Sequence, residues 1–380
     1  MSFACCIKEV EECLTNLRST NREKEEKMAG KKANKMNYLK CAVLIVIAVT
    51  LVVLGSSEVY AGQKVRFAYS SSHMGYLPRI VAFEKGFFAQ EGLEIDAVNI
   101  PGGSKAAAAL LGGSTDIVNL AYFHALKAAR KGFDVVAFAC PLNQWPLAYL
   151  MKPEMMKEKG ITVNSTVDEK IRAMKGLRIG CTSAGSGTAL IPRAFLKNRG
   201  IDPATEVRMV PFGKWKAGVA AFESGKIDVF QWVSPIPELL QQKGTGTIIF
   251  SMAKGDVPEF DGYMWDSYFT TREFMNEHPD EILAFTKAII RAIDYIHNNK
   301  KGTMEIIAKT WKDASAELRE RSYKNISKAV PEVPRLTKAG WEINMKLHFA
   351  DAKGVERERL AYEKTATNKF VDQALKELGK

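Results

Sequence analysis

The chain has 380 residues, of which 46% are apolar, and 54 Lys and Arg against 43 Asp and Glu give a formal net charge of +11. This length is sufficient for two lobes with separate hydrophobic cores. A basic surface favours anionic ligands, but no basic cluster is interleaved with aromatic residues as a nucleic-acid interface would require, so we expect no nucleic-acid partner.

An export signal is predicted near the N-terminus. Several lysines, the last of which is Lys40, precede an apolar run from Cys41 to Leu54, and Val59-Tyr60-Ala61 follows. This order of basic, apolar and small-residue regions is typical of a cleaved signal peptide, so residues 1–61 are predicted to be removed and the mature protein to be periplasmic. The apolar run of about 14 residues is shorter than the roughly 20 that span a bilayer, but an uncleaved membrane anchor remains the alternative.

Strands and helices alternate through the first part of the mature chain. A strand is predicted at residues 64–69, followed by a polar loop and a helix at residues 76–90. The same order then repeats, and the alternation predicts a parallel sheet with helices on both faces. The further strands are predicted at residues 93–100, 116–120 and 135–140, and the further helices at residues 105–111 and 122–130.

The alternation continues in a second lobe and ends in a helical tail. An extended segment at residues 263–271 indicates a return to the first lobe, so we assign residues 62–146 and 263–380 to lobe I and residues 147–262 to lobe II. In lobe II, strands are predicted at residues 146–151, 177–180, 207–210, 227–230 and 247–250, and helices at residues 166–174, 189–198, 216–224 and 235–242. The tail helices are predicted at residues 279–298, 301–311, 314–327, 338–349 and 368–378.

Polar and aromatic residues follow several predicted strands, at the edge where open α/β sheets bind ligands. Ser, Asn and Gln can donate hydrogen bonds to an anion, while Trp and Tyr supply flat apolar walls and Lys can neutralise a negative charge. Each residue alone is explained equally well by an ordinary loop or a solvated helix start, but together they indicate a binding cleft. The candidate ligand-binding residues are Ser71, Ser72, His73, Asn119, Tyr122, Gln144, Trp145, Lys214, Trp215, Gln231 and Trp232.

A glycine-rich turn at residues 182–188 is the strongest local signal. Glycines let backbone N–H groups approach a ligand, and the helix that begins there adds partial positive charge, so the turn is predicted to bind a carboxylate, sulfonate or phosphate group. A flexible strand-to-helix turn is the alternative. The turn lacks the Gly-Lys-Ser/Thr ending of a P-loop, so ATP is not predicted. Its candidate ligand-binding residues are Ser183, Gly185, Ser186, Gly187 and Thr188.

Signals for catalysis, metal binding and disulfide formation are weak. No pair among the five histidines has metal-ligand spacing, and no Gly-x-Ser-x-Gly nucleophile turn occurs, so neither a metal nor a cofactor is predicted. His73 is the one histidine expected in a cleft loop. Cleavage of the signal leaves Cys140 and Cys181, which could form one disulfide, but they end strands in different predicted lobes and we expect free buried thiols.

Three segments of the sequence are specific, namely Gly75-Tyr76-Leu77-Pro78, Phe83-Glu84-Lys85-Gly86-Phe87-Phe88 and Glu91-Gly92-Leu93-Glu94-Ile95. Through them the sequence resembles the solute-binding proteins of ABC importers for nitrate, sulfonates and taurine, which share their domain with thiamine-pyrimidine synthesis proteins. The resemblance extends over roughly residues 64–292 and implies a two-lobed α/β fold of the type II periplasmic binding class, here with a helical C-terminal tail. It also implies ligand-facing loops at residues 71–73, 119–122, 144, 183–188 and 231.

The resemblance implies an extracytoplasmic receptor that captures a small organic anion by hinge closure and delivers it to the permease and ATPase subunits of an ABC importer. The basic charge and the tryptophans favour aryl or alkyl sulfonates, taurine-like compounds and carboxylates over nitrate. A monomer is expected from the family. The synthesis enzymes carry a Cys-Cys-Cys-Phe-Cys motif that is missing here, so no enzymatic activity is predicted. Such an enzyme and a membrane-anchored sensory module remain the alternatives.

Overall fold

The computed structural model describes residues 63–312 and 314–380. The predicted signal segment at residues 1–61 lies outside the described residues, and its cleavage stays a prediction. The described residues belong to one folded unit that covers Gly62–Lys380. No helix of this described part is long and apolar enough to cross a membrane.

Within the described residues, the strands form two five-stranded sheets. In chain order they are β1 (Gln63–Tyr69), β2 (Leu93–Asn99), β3 (Ile117–Ala121), β4 (Val135–Leu142), β5 (Leu147–Met151), β6 (Arg178–Cys181), β7 (Arg208–Pro211), β8 (Val229–Val233), β9 (Thr247–Ser251) and β10 (Asp266–Thr271). The first sheet has the order β2-β1-β3-β10-β4 and the second the order β7-β6-β8-β5-β9.

Each sheet contains one antiparallel strand in its fourth position. In the first sheet, β1 pairs in parallel with β2 and β3, while β10 runs antiparallel to β3 and β4. In the second, β6 pairs in parallel with β7 and β8, while β5 runs antiparallel to β8 and β9. The chain therefore enters the second sheet through β5 and returns to the first through β10.

Helices connect the strands and cover the sheets. They are α1 (Leu77–Glu84), α2 (Phe87–Gln90), α3 (Gly103–Leu111), α4 (Phe123–Arg130), α5 (Pro153–Glu158), α6 (Val167–Arg172), α7 (Gly187–Lys197), α8 (Trp215–Glu223) and α9 (Ile236–Gln242). The tail contains α10 (Arg272–Glu277), α11 (Pro279–Asn298), α12 (Lys300–Thr310), α13 (Ala316–Ala329), α14 (Lys338–His348), α15 (Gly354–Arg359), α16 (Tyr362–Thr365) and α17 (Lys369–Glu377). β3 and β4 are buried along their whole length, as expected for strands with helices on both faces.

The first long tail helix completes the core of the first sheet. Phe285 of α11 lies with its ring centroid 5.5 Å from Phe67 of β1 and 5.0 Å from Tyr268 of β10. Phe138 of β4 contacts the same ring edge-on at 5.9 Å. Aromatic pairs at these separations are favourable beyond the area that they bury. The helix thus joins three strands of the sheet into one core.

Three details of the structure concern the sequence predictions. The single helix predicted at residues 76–90 is divided between α1 and α2, because Gly86 has a left-handed φ of 65° that interrupts the helix. The strand predicted to end at Phe230 continues to Val233, so Gln231 and Trp232 lie within β8 and not after it. Cys140 and Cys181 are free and buried, which confirms the prediction of free thiols.

Candidate functional site

A cavity of about 690 Å³ lies between loops of the two sheets. From the first sheet, residues 70–73 after β1 and the starts of α3 and α4 line it. From the second sheet, residues of the turn at 182–188 after β6 and residues 213–216 after β7 line it. These segments follow the carboxyl ends of parallel strands, which is where α/β sheets bind ligands. We call this cavity the cleft cavity.

Four helices begin at the cleft cavity, namely α3, α4, α7 and α8. Their first turns contain no acidic residue, and none of their N-cap side chains accepts a hydrogen bond from the helix. The first N–H groups of a helix have no partner within it, and the helix dipole places partial positive charge at the same end. The four helix ends therefore create an environment that favours an anion.

Lysines strengthen the positive potential of the cleft cavity. Lys105 belongs to the first turn of α3, Lys214 is the N-cap residue of α8, and Lys216 follows in the first turn of α8. Among the described residues, no carboxylate lies within the 4.0 Å salt-bridge distance of these three ammonium groups. Within the part of the chain that the structure describes, no Asp or Glu lines the cavity. The charge of a bound anion would thus be the main compensation for these cations.

Aromatic rings form a continuous wall along the cavity. The ring of His73 lies 5.5 Å from Trp265 in a stacked arrangement and 5.8 Å from Trp232 in an edge-on arrangement. Tyr76 lies 4.9 Å from Trp265, and Trp145 meets Trp265 edge-on at 6.0 Å. The wall joins a loop of the first sheet, a strand of the second and both connecting segments. It offers a large apolar surface to the organic part of a ligand.

Both histidines of the cleft cavity are neutral at physiological pH. The Nδ1 atom of His73 accepts a hydrogen bond of 3.2 Å from the backbone N–H of Gly75, so the proton of the neutral ring is on Nε2. Burial of the ring, with a smaller contribution from Arg79, lowers the pKa of His73 to about 3. Burial, followed by the charge of Lys127, likewise lowers the pKa of His124 to about 3. These rings can therefore donate a hydrogen bond to an anion without a change of charge.

Two glycines allow close packing at the cavity. A Cβ atom at Gly103 would lie well under 3.0 Å from Nε2 of His124. A Cβ atom at Gly187, the first residue of α7, would come equally close to the ring of Trp145. Neither glycine has a positive φ, so the requirement is for space and not for backbone conformation. The helix starts can approach the cavity because these positions carry no side chain.

A buried polar network supports the loop at residues 70–73. The guanidinium of Arg79 donates to Oδ1 of Asn119 at 3.0 Å and to the carbonyl oxygen of Ser71 at 2.6 Å, and it lies 4.0 Å over the ring of Tyr69. Asn119 in turn donates to a carboxylate oxygen of Asp266. Burial raises the pKa of Asp266 well above its ordinary value, although Arg79 and Asn119 act in the opposite direction. The network thus holds the cavity loop at residues 70–73 through the hydrogen bond from Arg79 to the carbonyl oxygen of Ser71.

Most of the residues predicted from the sequence line the cleft cavity. These residues come from both sheets and from the first connecting segment, and their role in ligand binding stays a prediction. They are Ser71, Ser72, His73, Trp145, Ser183, Ser186, Gly187, Thr188, Lys214, Trp215 and Trp232.

Five predicted residues do not line the cavity. Asn119 belongs to the buried network below it, and the hydroxyl of Tyr122 hydrogen-bonds that of Thr365 at 2.8 Å in the core. Gln231 lies in the buried strand β8, and its Nε2 atom donates to the carbonyl oxygens of Gly180 and Thr188 in the same part of the molecule. Gln144 and Gly185 belong to flanking segments outside the lining.

Several lining residues were not predicted from the sequence. His124, at the start of α4, faces the cavity together with Ser104 and Lys105 at the start of α3. Tyr76 and Trp265 supply two of the five rings of the wall. A usable signal existed for α3 and α4, because both helices follow strands of a parallel sheet and so begin at its ligand-binding edge. Trp265 has no such signal, because it precedes an antiparallel strand.

Two five-stranded α/β sheets with reciprocal antiparallel strands, a cavity between their loops and a helical tail define the two-lobed type II periplasmic-binding-protein fold. The predicted fold class is confirmed. The chain belongs to the NMT1-like family, whose model matches residues 63–311. The resemblance to periplasmic binding proteins of the nitrate, sulfonate and taurine group is confirmed with it.

Among curated proteins, the chain is 25% identical over 287 residues to the putative binding protein YtlA of Bacillus subtilis, covering 74% of this chain and 81% of that protein. It is 26% identical over 233 residues to the 4-amino-5-hydroxymethyl-2-methylpyrimidine phosphate synthase THI13 of Saccharomyces cerevisiae. That second match covers 58% of this chain and 63% of the yeast protein. The yeast relationship is thus partial.

Solved structures show the same fold. A protein of Bordetella bronchiseptica RB50 superimposes with a TM-score of 0.71 at 25% identity, covering 83% of this chain and 98% of that one. The alkanesulfonate-binding protein SsuA of Xanthomonas axonopodis pv. citri, bound to MOPS, superimposes with a TM-score of 0.60 at 16% identity. This match covers 82% of this chain and 97% of that one. The periplasmic nitrate-binding protein NrtA of Synechocystis PCC 6803 superimposes with a TM-score of 0.64 at 13% identity. This match covers 84% of this chain and 89% of that one.

Proposed function

We propose that this protein is the extracytoplasmic substrate-binding receptor of an ABC importer and that it captures a small organic anion in the cleft cavity. One observation carries the proposal. The starts of four uncapped helices and three lysines without carboxylate partners among the described residues converge on a cavity whose lining includes no Asp or Glu. Such an environment is favourable for one class of solute, a negatively charged one.

The size and the walls of the cavity support an organic anion over nitrate. A volume of about 690 Å³ is typical of sites for molecules with an organic body, and nitrate would leave most of it filled with water. The aromatic wall that includes Trp145, Trp232 and Trp265 would pack against an alkyl or aryl group. We therefore propose sulfonates, taurine-like compounds and carboxylates as ligands, with the acidic group near Lys105 and Lys214.

Hinge closure would supply the affinity. The cavity lies between segments of both sheets, and the connection between them consists of the segments at residues 143–146 and 252–265. We propose that residues 62–146 and 263–380 form one lobe and residues 147–262 the other. Closure would remove water from the ligand and strengthen its few polar contacts, and a ligand that contacts both lobes would favour the closed state.

A binding screen tests the ligand class. Purified protein would be titrated calorimetrically with alkyl and aryl sulfonates, taurine, carboxylates and nitrate. We expect an organic anion to bind, and the variant Lys105→Gln/Lys214→Gln to bind it at least about a hundredfold more weakly, since each charge-assisted contact contributes about 1.5–3 kcal/mol. The matched control Lys226→Gln/Lys243→Gln removes two exposed lysines away from the cavity and should bind normally. Equal weakening in both variants would contradict the proposed site.

Location and partners are part of the same proposal. Export through the predicted signal segment would place the protein in the periplasm, where it would act as a monomer and deliver its solute to a permease driven by ATPase subunits. Mass spectrometry of the protein from the periplasmic fraction gives the N-terminus directly. A start near Gly62 supports export with cleavage, and a retained apolar segment in the membrane fraction would support an anchored receptor or sensory module instead.

An enzymatic function is the second candidate, because part of the chain is similar to yeast pyrimidine phosphate synthases. The two functions differ in what happens to the bound molecule. A transport receptor releases its ligand unchanged, whereas an enzyme returns a product of different mass. Prolonged incubation of the protein with the organic anion from the screen, followed by mass spectrometry of the small-molecule fraction, distinguishes them. Recovery of the unaltered ligand is the expected result.

A further inference from the structure

A second cavity of about 610 Å³ lies beside the cleft cavity, and Phe123 lines both. Helix α4 forms one side of it, α7 forms the opposite side, and the end of α14 closes it through Leu347 and Phe349. We call it the basic cavity, because five of its lining residues are Lys or Arg. They are Lys127, Arg130 and Lys131 from α4 and its C-cap, and Arg193 and Lys197 from α7.

Negative charge does not balance these five cations. Glu356 is the one carboxylate among the described residues that lines the basic cavity, and it is already bound to Arg130 at 3.0 Å, as is Asp351 at 2.8 Å. Lys127, Lys131 and Lys197 have no carboxylate within 4.0 Å among the described residues. His348, which also lines the cavity, adds no further positive charge, because burial lowers its pKa to about 3 and keeps it neutral.

The cations come from helices that belong to both sheets. Helix α4 follows β3 of the first sheet, and α7 follows β6 of the second. Like charges connected to two different sheets therefore line the same basic cavity. Like charges repel, and solvent screens part of this repulsion because Lys131 and Lys197 are exposed. An anion between the two helices would convert this repulsion into attraction to both sides. The arrangement is thus more favourable when it holds a negative charge than when it does not.

The floor of the basic cavity is apolar. Phe123, Leu190 and Ala194 lie beside Leu347 and Phe349, so an occupant would meet hydrocarbon on one side and ammonium or guanidinium groups on the other. A bare inorganic anion would use the charges but not this floor. A molecule that joins an acidic group to an apolar body would use both, and the volume is within the range of small-molecule sites.

We propose that the basic cavity is a second binding site, distinct from the cleft cavity, for an amphiphilic organic anion that carries a sulfonate or carboxylate on an apolar body. The proposal rests on the geometry of α4, α7 and α14 and does not depend on the function of the cleft cavity. The bound acidic group interacts with Lys127 and Lys197, one from each side, while the apolar body packs on Phe123 and Leu347.

The test uses 8-anilinonaphthalene-1-sulfonate, which has a sulfonate on an aromatic body, in calorimetric and fluorescence titrations of the protein. Lys127→Gln/Lys197→Gln is the test variant, because neither side chain donates a hydrogen bond or forms an ion pair in the described structure. We expect one class of dye site to bind the dye about tenfold or more weakly in this variant than in the original protein. Lys127→Arg/Lys197→Arg should retain it, and so should the control Lys226→Gln/Lys243→Gln. If the double variant fails to fold, Lys197→Gln alone provides the same comparison.

Other outcomes separate the two sites and the two kinds of anion. The cleft variant Lys105→Gln/Lys214→Gln should keep the dye site that the Lys127→Gln/Lys197→Gln variant loses. Naphthalene-1-sulfonate should displace the dye from it at a far lower concentration than sodium sulfate. Unchanged dye binding in Lys127→Gln/Lys197→Gln would overturn the proposal, and displacement by sulfate as effective as by the naphthalenesulfonate would overturn its organic class.

Discussion

Replacement of Gly187 by alanine tests the packing at the start of α7. The added Cβ atom would lie well under 3.0 Å from the ring of Trp145, a separation that real Cβ atoms do not reach. Trp145 cannot easily move away, because it is 2% exposed and meets both Tyr263 and Trp265 edge-on at 6.0 Å. We therefore expect Gly187→Ala to destabilise the protein, although alanine favours a helix more than glycine does.

The magnitude follows from two opposing contributions. Overpacking a filled region costs typically about 1–3 kcal/mol. Glycine to alanine at an ordinary helical φ recovers about 0.5–1 kcal/mol through lower backbone entropy of the unfolded chain. The net loss in free energy of unfolding should be about 1–2 kcal/mol, which is a fall in Tm of roughly 2–6 °C for a protein of this size.

A double-mutant cycle isolates the proposed clash. Urea unfolding followed by circular dichroism would be measured for the original protein, Gly187→Ala, Trp145→Leu and the double variant. Trp145→Leu alone should cost about 3 kcal/mol or more, because it leaves a cavity. In the Trp145→Leu background, however, Gly187→Ala should cost nothing or stabilise by up to about 1 kcal/mol. If the two single effects simply add, the explanation by a clash between these two residues is wrong.

Two further predictions concern buried polar groups. Arg79→Met should lower the free energy of unfolding by about 3–5 kcal/mol, because buried hydrogen-bonding partners lose their donor, and thermal unfolding should show Arg79→Lys recovering part of that loss. Stability should also fall as the pH drops from 6.5 towards 3, because the folded-state pKa values of His73, His124 and His348 are lowered to about 3 while the unfolded chain binds protons near pH 6.5. Each histidine contributes at most about 1.4 kcal/mol per pH unit to this fall, and Asp266, whose pKa burial raises, opposes it. Urea unfolding at pH 7.5, 6.5 and 5.5 measures the slope, and a stability that stays constant over this range would contradict it.

The order of strands and helices was predictable because parallel sheets leave a strong pattern. Apolar runs such as the one in β4 are bounded by turns, and helices with one apolar face separate them. Even the return of the chain to the first sheet through β10 was visible as one more extended segment after the second lobe. The division of the first helix at Gly86 was not predicted, because a glycine within a helical pattern is often tolerated.

The sequence indicated which residues line the cleft cavity where position along a strand determined it, and their role in ligand binding stays a prediction. Loops after β1 and β6 line the cleft cavity because the carboxyl ends of parallel strands meet at one edge. Gln231 does not line the cavity, because it lies within β8 and its amide donates to two backbone carbonyl oxygens. A buried polar side chain that donates to backbone carbonyls looks like a surface residue in the sequence, because those carbonyls are distant along the chain.

The buried network shows how such polar residues serve the site indirectly. Asp266 begins β10 and directly follows Trp265, so one connecting segment carries both a ring of the cavity wall and a carboxylate of the network. From Asp266 the hydrogen bonds continue through Asn119 in β3 to Arg79, which binds the carbonyl oxygen of Ser71 in the cavity loop. A shift of the connecting segment would therefore move the aromatic wall and the polar loop together. Asn119, which the sequence predicted as a ligand contact, thus links the connection between the sheets to the loop that lines the cavity.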